Sequence, residues 1–200
     1  HVQALTGTEL ATGAHANITL TNNPTLVDGA IYSIAFNGSG AAGNVAITVT
    51  NTNVTYDLTN PVISATAPAS GSLVNNNNVS YTLSEAIASG TITWTQTGGT
   101  ADGGSPHVQA LTGTELATGV HANITLTNNP TLVSGAIYSI TFNATDAAGN
   151  AATAVANTNI TLDNTAPVFS ATAPASSSSV SHTQVSYTLS EAITSGSITW

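Results

Sequence analysis

The chain has 200 residues with no lysine or arginine, nine carboxylates and a formal charge of −9. With no cation to displace phosphate counterions, nucleic-acid binding is excluded, as are a P-loop lysine, a Schiff-base lysine and a lysine–asparagine crosslink. The hydrophobic fraction of 41% supports a folded core, while charged residues make up only 4%, so Thr, Ser and Asn must carry the solubility.

There is no cysteine, hence no disulfide and no thiolate metal site. No apolar run approaches the roughly 18 residues of a membrane span, so no direct membrane insertion is expected here. Any signal or anchor is expected outside these residues, because His1 opens neither a basic nor an apolar leader segment.

Internal repetition sets the organisation. HVQALTGTELATGAHANITLTNNPTLV at His1–Val27 returns, with one change, at His107–Val133, an offset of 106 that holds without a gap to Trp200. About 70 of the 94 comparable positions are identical. A period near 100 residues suits a whole small domain and is too long for a solenoid unit. The Pro-containing segments Asp57–Pro61 and Asp163–Pro167 read as linkers, since proline ends a strand and fixes an extended entry to the next. Residues 1–59 are then the back part of one domain, 60–165 a complete one and 166–200 the front of a third. A chain that starts and stops in mid-domain is expected to be a piece of something longer, or a unit completed by neighbouring chains.

Within the complete repeat the expected elements are short β-branched strands separated by turn residues. In chain order they cover 62–67, then 79–84 with Val79, Tyr81 and Leu83 on one face, then 91–95 with Ile92 and Trp94 inward. A Gly-rich loop follows at 98–106, then strands at 108–111, 122–126, 137–143 and 152–162. Alternation places Tyr138, Ile140 and Phe142 on one face. Tyr138, and Tyr32 in the first copy, sit where a tyrosine corner bonds backbone a few residues upstream, a core role more than a sugar-stacking one. Seven strands, no convincing helix and a tryptophan on the third strand predict an all-β, Ig-like antiparallel sandwich of Greek-key type, repeated in tandem.

Three motifs carry a resemblance: LxxGxxYSIxFNATDAAGN at Leu132–Asn150, DNTAPVFSATAP at Asp163–Pro174, and SYTLSEAI with GTITW at Ser80–Trp94. Together they resemble the tandem bacterial Ig-like domains of very large extracellular adhesins. The resemblance implies a stiff, secreted, multi-domain stalk at the cell surface, frequently rigidified by calcium, that holds a terminal binding domain away from the cell.

The carboxylates can be placed individually. In such a sandwich the loop after the second strand and the turn between the sixth and seventh lie where the chain enters. Glu85, Asp146 and the linker residue Asp57 are therefore expected to converge, and repulsion between three carboxylates calls for a hard cation, calcium above magnesium, with Asn60, Asn150 and carbonyls filling the shell. The next junction offers Asp163 and Glu191. In the first copy Gly38-Ser39-Gly40 replaces Ala144-Thr145-Asp146, so the alternative stands that Asp146 only bonds its own turn. Glu9, Glu115 and Asp102 have no evident partner and are expected to be solvated.

The histidines, His1/His107 and His15/His121 spaced 14 apart and His182 opposite Asn76, form no zinc pattern, and no nucleophile motif appears, so no enzyme is expected. Seven N-x-[ST] sequons, at Asn17, Asn37, Asn53, Asn78, Asn123, Asn143 and Asn159, are about what chance yields in a chain this rich in Asn, Ser and Thr. The leading expectation is a structural stalk or spacer repeat, partnered by neighbouring Ig-like repeats in the same or adjacent chains. The alternative is a subunit of an extracellular filament or sheath, built by lateral packing or interchain strand complementation and favoured by edge strands without lysine gatekeepers. Lacking Lys and Arg, either form offers no trypsin site.

Overall fold

The computed structural model describes residues 1–200 as twelve β-strands and two four-residue 3-10 helices, with no α-helix. Strands β1 (Ile31–Phe36) and β2 (Val49–Thr55) form a two-stranded antiparallel sheet. They are followed by β3 (Ile63–Ala67), β4 (Leu73–Val74), β5 (Val79–Leu83), β6 (Ser89–Gly99), β7 (His107–Ala110), β8 (Gly119–Ile124), β9 (Ala136–Thr145) and β10 (Val155–Leu162). β11 (Phe169–Ala173) and β12 (Ser186–Leu189) pair as a second two-stranded sheet. The 3-10 helices are Gly7–Leu10 and Gly113–Leu116, each at the same point of its repeat.

Strands β3 to β10 build an Ig-like sandwich from a five-stranded sheet, order β4-β10-β9-β6-β7, and a three-stranded sheet, order β3-β5-β8. The period-2 pattern decides which side chains meet between them. Val79, Tyr81 and Leu83 from β5 face Ile92 and Trp94 from β6, Tyr138, Ile140 and Phe142 from β9, and Ile160 and Leu162 from β10. The core of 17 buried hydrophobic residues lies wholly within 63–162. Trp94 packs edge-on to Tyr138 with centroids 5.9 Å apart.

The strands on either side carry the same residues without the opposing sheet. Ile140 and Phe142 are 0% and 2% exposed, whereas their first-copy equivalents Ile34 and Phe36 are 42% and 56% exposed. Trp94 is fully buried and Trp200 is 69% exposed. Burial here follows from the partner sheet, not from the strand's own sequence.

Several expected bounds move. The complete unit has eight strands, because Leu73–Val74 forms a short strand parallel to β10, a pairing too brief to leave a periodic signal. The strand expected at 91–95 runs on to Gly99, into the expected loop, since Gly98 and Gly99 still pair with Ile137 and Ala136. Gly99 adopts φ +72°, and a Cβ there would lie 2.2 Å from the Gly135 carbonyl oxygen, so only glycine fits. The strand expected at 122–126 starts earlier, at Gly119, and the last one later, at Val155.

A β-bulge marks six strand pairs, and in five of them it holds one non-glycine residue with positive φ: Asn53, Ala65, Asn123, Asn159 and Ala171. Asparagine tolerates this left-handed region best, and threonine suits the strand that resumes after it. That accounts for N-x-T at Asn53 and Asn159, whose strands continue through the threonine, without reference to glycans; Asn17 and Asn123 share the positive φ but no strand runs through their threonines. Alanine has no such tolerance. Ala65→Gly is therefore expected to raise stability by about 0.5–1 kcal/mol, and Ile140→Ala to lower it by about 2–5 kcal/mol; urea midpoints at constant m-value measure both.

Candidate metal centre at the domain junction

The linker after β2 is held from both sides. Asp28 accepts the Leu58 N–H at 2.6 Å and the Thr59 hydroxyl at 2.7 Å, and the Asp57 carboxylate accepts the Thr59 N–H at 2.9 Å. Entering the sandwich, Val62 N–H donates to the Ser84 hydroxyl and Ser84 N–H returns to the Val62 carbonyl. This sets the linker beside Glu85 at the end of β5. Asp146 opens the turn between β9 and β10, where its Oδ1 accepts the Gly149 and Asn150 N–H groups at 2.7 and 2.8 Å. The Asn150 side-chain amide then donates to Asp146 Oδ2 at 2.8 Å and to the Asp57 carbonyl at 3.1 Å, tying turn to linker.

The result brings Asp57, Glu85 and Asp146 together, with one carboxylate oxygen from each lying within 4.8 Å of the others. It is the one such group of three or more carboxylate, His or Cys side chains in the chain. Burial, then the charges of Asp57, Asp146 and Asp28, push the Glu85 carboxyl above the usual range. Burial also acts to raise Asp146, but the donors from Asn150, Gly149 and Ala148 outweigh it and hold that carboxyl low. An all-oxygen donor set with one unsatisfied, repelled carboxylate fits a hard cation. Asn60 is exposed. At the following junction Asp163 accepts the Thr165 N–H at 3.2 Å, and Glu191 Oε1 is buried with no hydrogen-bond partner.

A family model described as bacterial Ig-like domain matches residues 57–161. The chain belongs to the bacterial Ig-like domain family. Among curated proteins, none matches it. The boundaries of the Ig-like match coincide with the linker carboxylate Asp57 at one end and with β10 at the other.

Three carboxylates in this Ig-like chain have the partners that sequence did not show, and two of them, Glu115 and Asp102, are buried instead of solvated. Glu115 is buried and clamps two segments: its Oε2 accepts the Thr112 N–H at 2.7 Å and its Oε1 the Thr127 N–H at 2.6 Å. Glu9, partly exposed, makes the same two bonds with Thr6 and Thr21. The T-x-x-E spacing of a capping box was the available signal. Asp102 is also buried, accepting from the Tyr138 hydroxyl and pairing with His107 Nε2, each at 2.7 Å. Tyr138 meets the tyrosine-corner expectation, accepting the Val133 N–H at 2.9 Å, as Tyr32 accepts that of Val27 at 2.8 Å. Burial, with the Asp102 bond adding to it, pushes the Tyr138 hydroxyl up to about 12. Asp28 was not singled out from sequence, because its partners lie 30 and 31 residues away.

The carboxylates divide by sign. His107 and Tyr138 hold Asp102 low, and the Thr127 and Thr112 donors hold Glu115 low against its burial. The stability they add is present above the ordinary carboxylate range of about 4 and is lost as pH falls through their lowered values. Glu85, raised, acts oppositely: its ionisation opposes folding as pH rises past that range. Glu115→Gln is expected to cost about 1.5–3 kcal/mol at neutral pH and to flatten the acid limb of the stability curve, read by urea unfolding across pH.

Proposed function

We propose that the chain is a run of stalk or spacer repeats from a large extracellular surface protein, its junctions stiffened by calcium. One observation carries this reading. Of the nine carboxylates, only Glu85 and Glu191 accept no hydrogen bond, and they occupy the same place in successive repeats. Each stands where one unit meets the linker before it. A calcium ion there would supply the positive charge that the composition lacks. Asp57, Glu85 and Asp146 would hold it at the first junction, Asp163 and Glu191 at the second. On the Asp146 side chain the Asn150 amide donates to Oδ2, leaving that oxygen a lone-pair direction for an ion. Membership in a family of structural domains typical of the cell surface supports the stalk role, and no helix is long and apolar enough to cross a membrane.

At about 1 mM external calcium and a dissociation constant of about 10 μM, binding would add ~2.7 kcal/mol per site. Thermal melting and solution-scattering length, with calcium and with chelator, test the reading. Chelation is expected to lower the melting temperature and loosen the particle. Glu85→Gln, which removes the repelled charge, should be as stable without calcium as with it. Unchanged melting and stiffness of the unaltered chain on chelation would sink the calcium reading and leave Asp146 as a turn residue.

A second reading, a filament or sheath subunit whose chains complete one another, is supported by the two flanking sheets. They present opposite halves of one sandwich: Ile34 and Phe36 on β1, Phe169 and Tyr187 on β11 and β12, all at least 42% exposed. Their equivalents in the central unit, Ile140, Phe142, Ile63 and Tyr81, meet in its core. Sedimentation decides between the readings: growth into rods with concentration supports the filament, a persistent monomer the stalk.

A further inference from the structure

We infer that the cleft between β4, the start of β5 and the end of β8 is a binding site for a neutral carbohydrate. Its volume is about 520 Å³ and its lining includes Leu73, Asn75, Asn76, Asn78, Asn123 and Asp163, a size in the range of small-molecule sites. It lies where the chain leaves the central unit, at the opposite end of β5 from Glu85, and needs neither the stalk nor the calcium reading.

The amides are oriented by the chain but not used up by it. Asn78 is fixed on both sides: its amide donates to Asn123 Oδ1 at 3.2 Å and its Oδ1 accepts the Thr125 hydroxyl at 2.8 Å. The Asn123 side-chain NH2 group is left without a partner, while the Asn123 backbone N–H donates to the Ser80 hydroxyl oxygen at 2.8 Å. Asn76 donates to Asn75 Oδ1 at 2.9 Å and accepts the Asn78 N–H at 3.0 Å, so the Asn75 NH2 group is free as well. Asp163 Oδ1 accepts the Thr165 N–H, and its Oδ2 accepts nothing. The cleft therefore holds two free NH2 groups and a free carboxylate oxygen on side chains whose other ends are pinned.

That donor and acceptor set selects the ligand class. An anion meets no lysine or arginine and is repelled by Asp163. A cation finds one lining carboxylate, against three at Glu85. An apolar ligand would strip water from the amides and leave them unpaired. Sugar hydroxyls, each both donor and acceptor, satisfy the free groups, and the C–H face of a sugar ring finds Leu73, 70% exposed. No aromatic side chain lines the cleft, so binding rests on the amides and is expected in the millimolar range.

The cleft also marks where the repeats part company. Residues 60–94 and 166–200 differ at ten positions, and five of these fall within 73–78. Leu73, Asn75, Asn76 and Asn78 give way to Ser179, Ser181, His182 and Gln184, while SYTLSEAI beside them is unchanged. The carbohydrate site accordingly belongs to the central unit and not to the framework the copies share.

Side-chain amide NMR of the full chain tests this, in chelator so that no metal reaches Asp163. The probes are glucan, mannan and galactan oligosaccharides, with a polygalacturonate oligosaccharide as the acidic control. At least one neutral probe is expected to shift the Asn75 and Asn123 amides saturably, and the acidic one to leave them in place. Asn75→Ser, which installs the next repeat's residue, is expected to weaken binding about threefold to tenfold. Asn123→Gly, which keeps the left-handed backbone and removes the amide, should weaken it by a similar factor. Asn128→Ala, whose amide bonds the Ala110 carbonyl outside the cleft, should change it less than twofold. No shift with any neutral probe up to tens of millimolar overturns the site, as does equal binding of the acidic probe. Unchanged affinity in both cleft variants overturns it too.

Discussion

Nine carboxylates and no lysine or arginine leave each negative charge in this chain to be stabilised by N–H and O–H donors. Much of the irregular structure follows from that constraint. Glu115 and Glu9 each gather two backbone N–H groups, one three residues before the glutamate and one twelve residues after it. Asp28 gathers the linker, Asp146 its own turn, and Asp102 a tyrosine hydroxyl and a histidine. Because such hydrogen bonds to a charged group are stronger than neutral ones, the few acidic residues act as fixing points for loops that an ordinary domain would pin with salt bridges. The charge left over falls at one place per repeat, the glutamate after the second strand of the sandwich.

That place is where mechanics and electrostatics meet. The Asp57 carbonyl accepts from Asn150, so the preceding linker is bonded to the following sandwich before any ion is considered. Neutralising Glu85 would draw the linker, the end of β5 and the β9–β10 turn onto one centre. From there the chain runs through β3 and β4 to β10, which pairs with β4, and leaves at Asp163, near the start of the next repeat. Among the differences between the first and second junctions, Asp28 is replaced by Ser134, whose hydroxyl bonds Thr165 and Asn164 at 3.1 and 3.3 Å.

The strands that build the core were legible because alternation survives in a single sequence. Val79/Tyr81/Leu83 and Tyr138/Ile140/Phe142 each fill one face, and Trp94 and the tyrosine corner lie where an Ig-like sandwich needs them. Convergence of Asp57, Glu85 and Asp146 was legible from topology, once the loops at the entry end were assigned. Three things were not. β4 is two residues long and owes its existence to β10, some ninety residues later. Burial of Asp102 depends on Tyr138, 36 residues away, and no local pattern reports it. The bulges needed a reason for asparagine that sequons obscured, since at Asn53 and Asn159 the N-x-T triplet serves a left-handed residue inside a strand.

The central claim is that Glu85 carries the charge the protein itself does not neutralise. Carbon-13 NMR titration of the Glu85 carboxyl, in the full chain with calcium and with chelator, addresses it directly. The Glu85 carboxyl is expected to titrate above the ordinary range without calcium and well below it with calcium, while Glu115 stays low in both. An ordinary Glu85 titration that calcium does not move would contradict it.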